Sequence, residues 1–552
     1  MVEIKPLSAD YEEYLRDESR TVGSAQSISF PRTEQEVREV LSQMSDADVP
    51  VTVQGGRTGL AAGAVPDGGH VLNLSKMTRC VGLSPARVDG SGAIDPDGAF
   101  LLTVEPGVVL SQLRKDIEDK NVDVRGWDEA SLAAWRALCD AREHFFPTDP
   151  TETSATIGGM AACNASGARS YGYGPMRSHV TALRVVLSDG QTLALRRGQA
   201  VARGTSLDLV TEQGGRVHVD LPTYEMPRTK NASGYFCAPD MDAVDLFIGS
   251  DSTLGVITQV ELELVALPRV IWGVSCFFAD ESHAVEFTRS ARAALRDAKA
   301  IEYFDADALD ILRAQRRAST AFAALPELRD DARACVYVEL QCEAEAEATE
   351  ELWKLGDVLT SSGGSEDATW VARTAVDRET QRFFRHAVPE SVNMLIDERR
   401  KSDPTITKLG SDMSVPDECL PAVMRMYRET LAEQGLQSAM WGHIGNNHLH
   451  VNVLPRDASD YARGKELFNR WARSVTEMGG AVSAEHGVGK MKRDFLRTMY
   501  GERHIREMAR VKAQLDPAHI LGLGNLFPPD TLPLPVGSEA AGHATDDGTR
   551  EA

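Results

Sequence analysis

Little in this 552-residue sequence points to a membrane, a nucleic acid or an oxidising compartment. No apolar run approaches the roughly 18–20 residues that span a bilayer. The opening MVEIKPLSADYEEYLRDESR lacks the basic and apolar regions of a signal peptide. Eight cysteines stand singly between Cys80 and Cys419 with no close CxxC pair. That excludes a disulfide frame or a thiolate zinc site, and implies reduced thiols in a cytoplasmic protein, with peripheral attachment to a membrane left open. Positive charge is scarce: 59 Lys and Arg against 82 Asp and Glu give a formal charge of -23. Nucleic acid is excluded as a partner, because phosphate backbones need a positive field. An anionic small molecule is not excluded, since converging backbone N–H groups or one arginine can hold it.

What is present describes a globular chain, 42% hydrophobic and 26% charged, too long for a single core. Thr33 and Glu36 form a capping-box pattern, with Val37, Val40 and Leu41 at helical spacing behind it. Strands are predicted over 49–54, 71–74 and 101–105, with Pro106-Gly107 turning the chain into a helix over about 109–118. The run 181–195 reads as a hairpin about Ser188-Asp189-Gly190, and 256–265 as a half-buried strand. A first domain is expected over 1–268, its lead-in reaching about residue 25, and a second over 269–527. In the second, strand–helix units near 272–295 and 334–359 predict an antiparallel sheet with helices on one face. Residues 460–515 read as mostly helical, and the Pro/Gly/acid-rich 528–552 as a disordered tail. The fold class is α+β.

Three blocks of small residues follow one another at wide spacing. Gly55-Gly56-Arg57-Thr58-Gly59-Leu60-Ala61-Ala62-Gly63 follows a strand, where successive N–H groups can converge on a pyrophosphate. It matches neither a Walker loop nor GxGxxG, and its plain alternative is an ordinary turn. The second block runs from Pro147-Thr148-Asp149-Pro150 to Ala165-Ser166-Gly167, through Gly158, Gly159 and Asn164. The third, 247–258, contains Gly255 and Ile257. Such density requires backbone to approach another helix or a flat ring system closely. One extended ligand threading between two subdomains fits the three better than three unrelated turns.

Later in the chain, Met440-Trp441-Gly442-His443-Ile444 and His448-Leu449-His450-Val451-Asn452 flank Gly445-Asn446-Asn447. With Asn446-Asn447 as a two-residue turn, His443 opposes His450 and Trp441 opposes Asn452, at Cβ distances of about 4.5–5.5 Å. His448 and Asn452 share the face of His450 by alternation. Ala484-Glu485-His486-Gly487 adds an adjacent acid and imidazole. Two histidines and a carboxylate make a divalent site with open positions, suited to zinc, manganese or iron. The competing reading is that these are satisfied core or surface histidines.

Blocks and hairpin together resemble the vanillyl-alcohol oxidase/p-cresol methylhydroxylase family, in its D-lactate dehydrogenase, glycolate oxidase and D-2-hydroxyglutarate dehydrogenase branch, over roughly residues 25–527. The resemblance implies a two-subdomain FAD-binding domain and a substrate (cap) domain. It implies FAD contacts from Gly55, Gly56, Arg57, Thr58, Gly59, Leu60, Pro147, Thr148, Gly158, Gly159, Asn164, Ser166, Gly167, Gly255 and Ile257. Covalent members attach flavin through a histidine at the first loop. Arg57 lies there and no histidine does, so the FAD is expected to be non-covalent. The resemblance also implies His443, His450 and Glu485 as ligands of a divalent metal (zinc or manganese), His486 as general base, and Asn452 near substrate. Arg385 is expected to clamp a substrate carboxylate, with Arg399 and Arg400 as rivals, and Lys408 to assist it. The family turn resembles Gly-Asp-Gly-Asn where this chain has Gly445-Asn446-Asn447-His448, and His448 is expected outside the ligand shell. The Asn-Pro-Gly-Lys expected near the end is replaced, its Pro and Lys missing, in the segment ending at Asn525.

The implied activity is oxidation of a small 2-hydroxy acid by hydride transfer to flavin. Electrons would pass to a quinone, a cytochrome or an electron-transfer flavoprotein, and a homodimer stays open. The alternatives are an oxidase of another alcohol, or a non-catalytic electron-transfer subunit that leaves Glu485 and His486 idle.

Overall fold

A computed structural model describes residues 2–87, 95 and 97–533. It contains three main sheets. In the first, Ser27–Ser29 and Val51–Gln54 both run parallel to His70–Asn73, which lies between them, and Lys5–Pro6 adds an antiparallel edge. Helix Glu34–Asp46 starts where Thr33 accepts a hydrogen bond from the Glu36 N–H. The Glu36 carboxylate reaches back to the Arg32 N–H rather than to Thr33, so only half of the expected box forms.

The second sheet is antiparallel, ordered Cys80–Pro85, Phe100–Val104, Val256–Ala266, Val180–Val186 and Thr192–Arg196, with His144–Phe145 also on Val256–Ala266. The hairpin and the long strand predicted here are both present. Its core also receives Leu496, Tyr500, Met508, Val511 and Leu515 of the helical segment Arg493–Leu515, which is kinked at Gly501, with Leu526 and Phe527. Val51 donates to the Ile520 carbonyl. The end of the expected second domain therefore packs into the first.

The third sheet is antiparallel, ordered Thr369–Ala372, Val270–Phe278, Ala334–Cys342, Ala298–Asp305, Ser438–Gly442, His448–Val453 and Leu409–Gly410, with Met413–Ser414 also on His448–Val453. Alternation decides what each face carries. Leu449, Val451 and Val453, with Ile301 and Tyr303, enter a core under helices Leu420–Gln434 and Ala458–Glu477. His448, His450, Asn452 and Glu302 are left for the opposite face. The expected helical layer is joined by a second one there, in which Ala306–Ala318 and Ala375–Arg400 pack on Phe304, Ala439 and Trp441.

Of the expected tail, Pro529–Thr531 forms a short 3-10 turn, and residues 534–552 lie outside the described residues. Among the described residues no helix is long and apolar enough to cross a membrane. All eight cysteines are free thiols, as expected.

Candidate active site at the meeting of cavity and histidine cluster

A cavity runs along the first two sheets to the loop at Glu485–Gly489. Its wall carries all of Gly55–Leu60, then Gly158, Gly159, Ser166 and Ile257, and it ends on Glu485, His486 and Gly489. The first loop clasps the second block: Gly56 N–H faces Thr156 Oγ1 at 3.3 Å, and a Cβ on Gly55 would sit 2.2 Å from that oxygen. Left-handed backbone at Arg57 (φ 58°), Asp251 (φ 50°) and Ser252 (φ 56°) lies on the same wall. Such conformations are uncommon outside glycine and gather where backbone is shaped for a ligand. Small residues and turned-in backbone fit a dinucleotide's phosphates and flat rings.

Several expected contacts stand behind this wall. Pro147, Thr148, Asn164, Gly167 and Gly255 do not line the cavity. Thr148 offers its carbonyl to Arg114, and Asn164 closes helix Ile157–Cys163 in left-handed conformation while accepting from Arg177 N–H. Gly167 and Gly255 are spaced for packing, on Asp149 and Val185 respectively. Arg57 pairs with Glu13 at 2.9 Å and covers the Tyr14 ring, so its guanidinium is bound to the lead-in segment.

At the cavity's end the hairpin departs from the expected register. Trp441 pairs with His450 and Ala439 with Asn452, two residues from the predicted alignment. The turn is not Asn446-Asn447 alone: Ile444–Asn446 form a 3-10 turn and Asn447 (φ 52°) closes it. The cause is burial, because Ile444 is a core residue and the turn packs on Tyr171 and Ile301. A shift of two preserves parity, so the histidines keep their common face.

His443, His448, His450 and Glu485 bring one donor atom each to within 4.8 Å of one another. His443 Nε2 lies 3.3 Å and His448 Nδ1 3.7 Å from Glu485 Oε2, and His450 Nε2 lies 3.2 Å from Oε1. Lys230, at 2.6 Å from Oε2, neutralises the acid. Burial raises the Glu485 pKa, but Lys230 and the histidine charges outweigh it and hold the carboxyl well below its ordinary range. Burial alone would pull His443 down; Glu302, 2.7 Å from its Nδ1, and Glu485 reverse that and lift it to about 9. For His448 and His450 burial wins, and both are pushed down. A donor set of three imidazoles and a carboxylate around one point fits a divalent cation.

Asp412 is the organiser that sequence reasoning missed. Fully buried, it accepts from the backbone N–H groups of Glu485 and His486 and meets Lys492 Nζ at 2.5 Å. It faces His448 Nε2 at 3.0 Å and His486 Nδ1 at 3.4 Å. The only signal for it was the segment Asp412-Met413-Ser414-Val415-Pro416, which follows Lys408 and resembles a family motif that carries a substrate lysine. Glu302, on a distant strand, was equally silent as a partner, whereas Lys230 opens Lys230-Asn231-Ala232-Ser233-Gly234-Tyr235, which resembles a family segment near the flavin. His486 stacks on His450 with its Nε2 3.4 Å from Glu485 Oε1.

Arg385 lies over the Tyr337 ring, its Nε buried without a hydrogen-bond partner, and makes no salt bridge among the described residues. Its rival Arg399 is bound to the Leu454 carbonyl and Gln437. Asn452 is buried and donates to the His450 carbonyl. Lys408 precedes Leu409–Gly410, whose Gly410 opposes Asn452, so alternation puts the lysine on that face. Burial and then Arg20 lower its pKa. Asn525, where the terminal signature was altered, bridges Lys490 and the Gly63 carbonyl.

A cavity walled by glycine loops and ending on a histidine–carboxylate cluster fits a flavin-type oxidoreductase, and comparison with known proteins agrees. Residues 25–125 and 130–196 match the FAD binding domain, and residues 267–526 match the FAD linked oxidases, C-terminal domain. The chain is similar to the probable mitochondrial D-lactate dehydrogenase of Danio rerio (27% identical, covering 94% of this chain and 88% of that one). It is also similar to a D-2-hydroxyglutarate dehydrogenase of Xanthomonas citri pv. viticola (25% identical, 97% and 96% covered). Its fold is that of p-cresol methylhydroxylase solved with substrate bound, with a TM-score of 0.64 at 14% identity, covering 96% of this chain and 94% of that one. The chain belongs to the FAD-linked oxidases and is an FAD-dependent oxidoreductase.

Proposed function

We propose that this enzyme oxidises a small 2-hydroxy acid, of the D-lactate, glycolate or D-2-hydroxyglutarate type, to the 2-oxo acid, with non-covalent FAD and a divalent cation. The carrying observation is that Glu485 and His486 line the same cavity as the glycine loops. Relatives named for D-lactate and D-2-hydroxyglutarate support the substrate class. Bound FAD supplies the two-electron acceptor that amino-acid side chains lack. A cation at His443, His450 and Glu485 supplies positive charge that lowers the pKa of the alcohol. Arg385, without a carboxylate partner of its own, binds the substrate carboxylate through its planar fork. Asp412 faces His486 Nδ1 and holds that nitrogen protonated, leaving Nε2 to take the hydroxyl proton. Lys492 keeps Asp412 ionised for that task.

The test is anaerobic mixing of the purified flavoprotein with a panel of D- and L-2-hydroxy acids, following flavin absorbance. Bleaching by one handedness of one acid is expected. Bleaching by none of them overturns the substrate assignment.

A further inference from the structure

We infer that His448 is a direct ligand of the cation, so that three imidazoles and one carboxylate hold it. This rests on the proposed metal reading and changes its ligand count, against the expectation that His448 stands outside the shell. Gly445-Asn446-Asn447-His448 differs from the resembling Gly-Asp-Gly-Asn turn at its last three positions, and His448 is the one of these that brings a metal-ligating side chain.

Three observations converge. The His448 ring is 0% exposed, and neither ring nitrogen has a hydrogen bond of acceptable geometry, although Nε2 lies 3.0 Å from Asp412 Oδ1. A buried imidazole left without a partner is costly, and a ligand bond removes that cost.

All three rings also share one polarity. His443 turns Nδ1 to Glu302 and Nε2 to Glu485, and His450 turns Nδ1 to the Ser411 carbonyl and Nε2 to Glu485. His448 turns Nε2 to Asp412 and Nδ1 to Glu485. An acceptor beside the outer nitrogen favours the tautomer that aims a lone pair inward, the arrangement of metal-bound histidines. For His448 that acceptor is Asp412 Oδ1 at 3.0 Å, close enough for the role though not aligned as a hydrogen bond.

The spacing is also right. Ligand bonds of about 2.0–2.2 Å place donors no more than about 4.4 Å apart. Donors already within 4.8 Å need only small side-chain movements to close on one ion.

Four protein donors have a chemical consequence. A four-coordinate zinc would then be closed to substrate, whereas a five- or six-coordinate cation keeps an open position. The extra histidine therefore favours a cation such as manganese or iron(II) for turnover, while zinc binds without supporting it.

The test compares the native flavoprotein with His448→Asn, which restores the asparagine of the resembling turn; flavin content and Tm verify folding, and His448→Gln is the second variant. Each is stripped by chelator and reloaded with one equivalent of zinc, and the imidazoles around the ion are counted by X-ray absorption. Three in the native protein and two in the variants are expected, with zinc affinity more than tenfold weaker in the variants. Two in the native protein and two in the variants overturns the inference and leaves the metal reading standing. A native protein that binds no zinc overturns both.

Discussion

At the scale of single residues, the site consists of one carboxylate, Glu485, surrounded by inward-facing nitrogens, and of the outer acceptors behind them: Glu302 for His443, the Ser411 carbonyl for His450 and Asp412 for His448. Removing the proposed base by His486→Ala should slow anaerobic bleaching by about 10²–10⁴-fold while FAD content stays unchanged. Unchanged bleaching would instead show that His486 is not the base. Asp412→Asn tests the organiser. It should weaken metal binding about 10–100-fold, measured by competition with a chromophoric chelator, and slow bleaching together with it. The histidines were legible in the sequence because strand alternation marks them as a set. Asp412 and Glu302 were not, and Lys230 was marked only by the resemblance of its segment, because a lone charged residue far along the chain has no periodicity to betray its partner.

At the scale of elements, the glycine loop and the hairpin show how far local pattern reaches. The loop's place after a strand was legible, and so was its role as cavity wall. Thr156, which clasps it, was within the quoted second block but had no assigned part. Gly55→Ala should force the two segments apart, and the expected result is a purified protein with a lower flavin-to-protein ratio. The hairpin's face was legible and its register was not, because a buried Ile444 extends the turn in a way that two asparagines do not advertise.

The small parallel sheet offers an independent test at this scale. His70 is buried between Ser27 Oγ and Ser29 Oγ, 2.8 Å from each, and burial lowers its pKa to about 4. The unfolded chain takes up this proton near pH 6.5, so the stability it confers is complete above pH 6.5 and is lost as pH falls toward 4. The shift corresponds to about 3 kcal/mol. Thermal unfolding of His70→Gln should therefore lose less Tm than the native protein between pH 7 and 4.5. Equal losses would contradict the assignment.

At the scale of the molecule, the end of the expected second domain packs back onto the first. Helix Arg493–Leu515 and the segment to Phe527 return to the first domain's core, and Lys490 meets the Val65 carbonyl. That return carries the Glu485–Gly489 loop from the sheet that bears the histidines to the wall of the nucleotide cavity. Long-range packing of this kind leaves no local mark, and the sequence did not show it. The same architecture makes the central claim testable as a whole: cavity and cluster act as one centre. The most direct measurement is the rate of anaerobic flavin bleaching by the best 2-hydroxy acid, in protein stripped of metal with FAD retained and again after divalent cation is restored. A fall of at least a hundredfold on stripping, reversed on restoring the cation, is the expected result. Equal rates with and without the cation would contradict it.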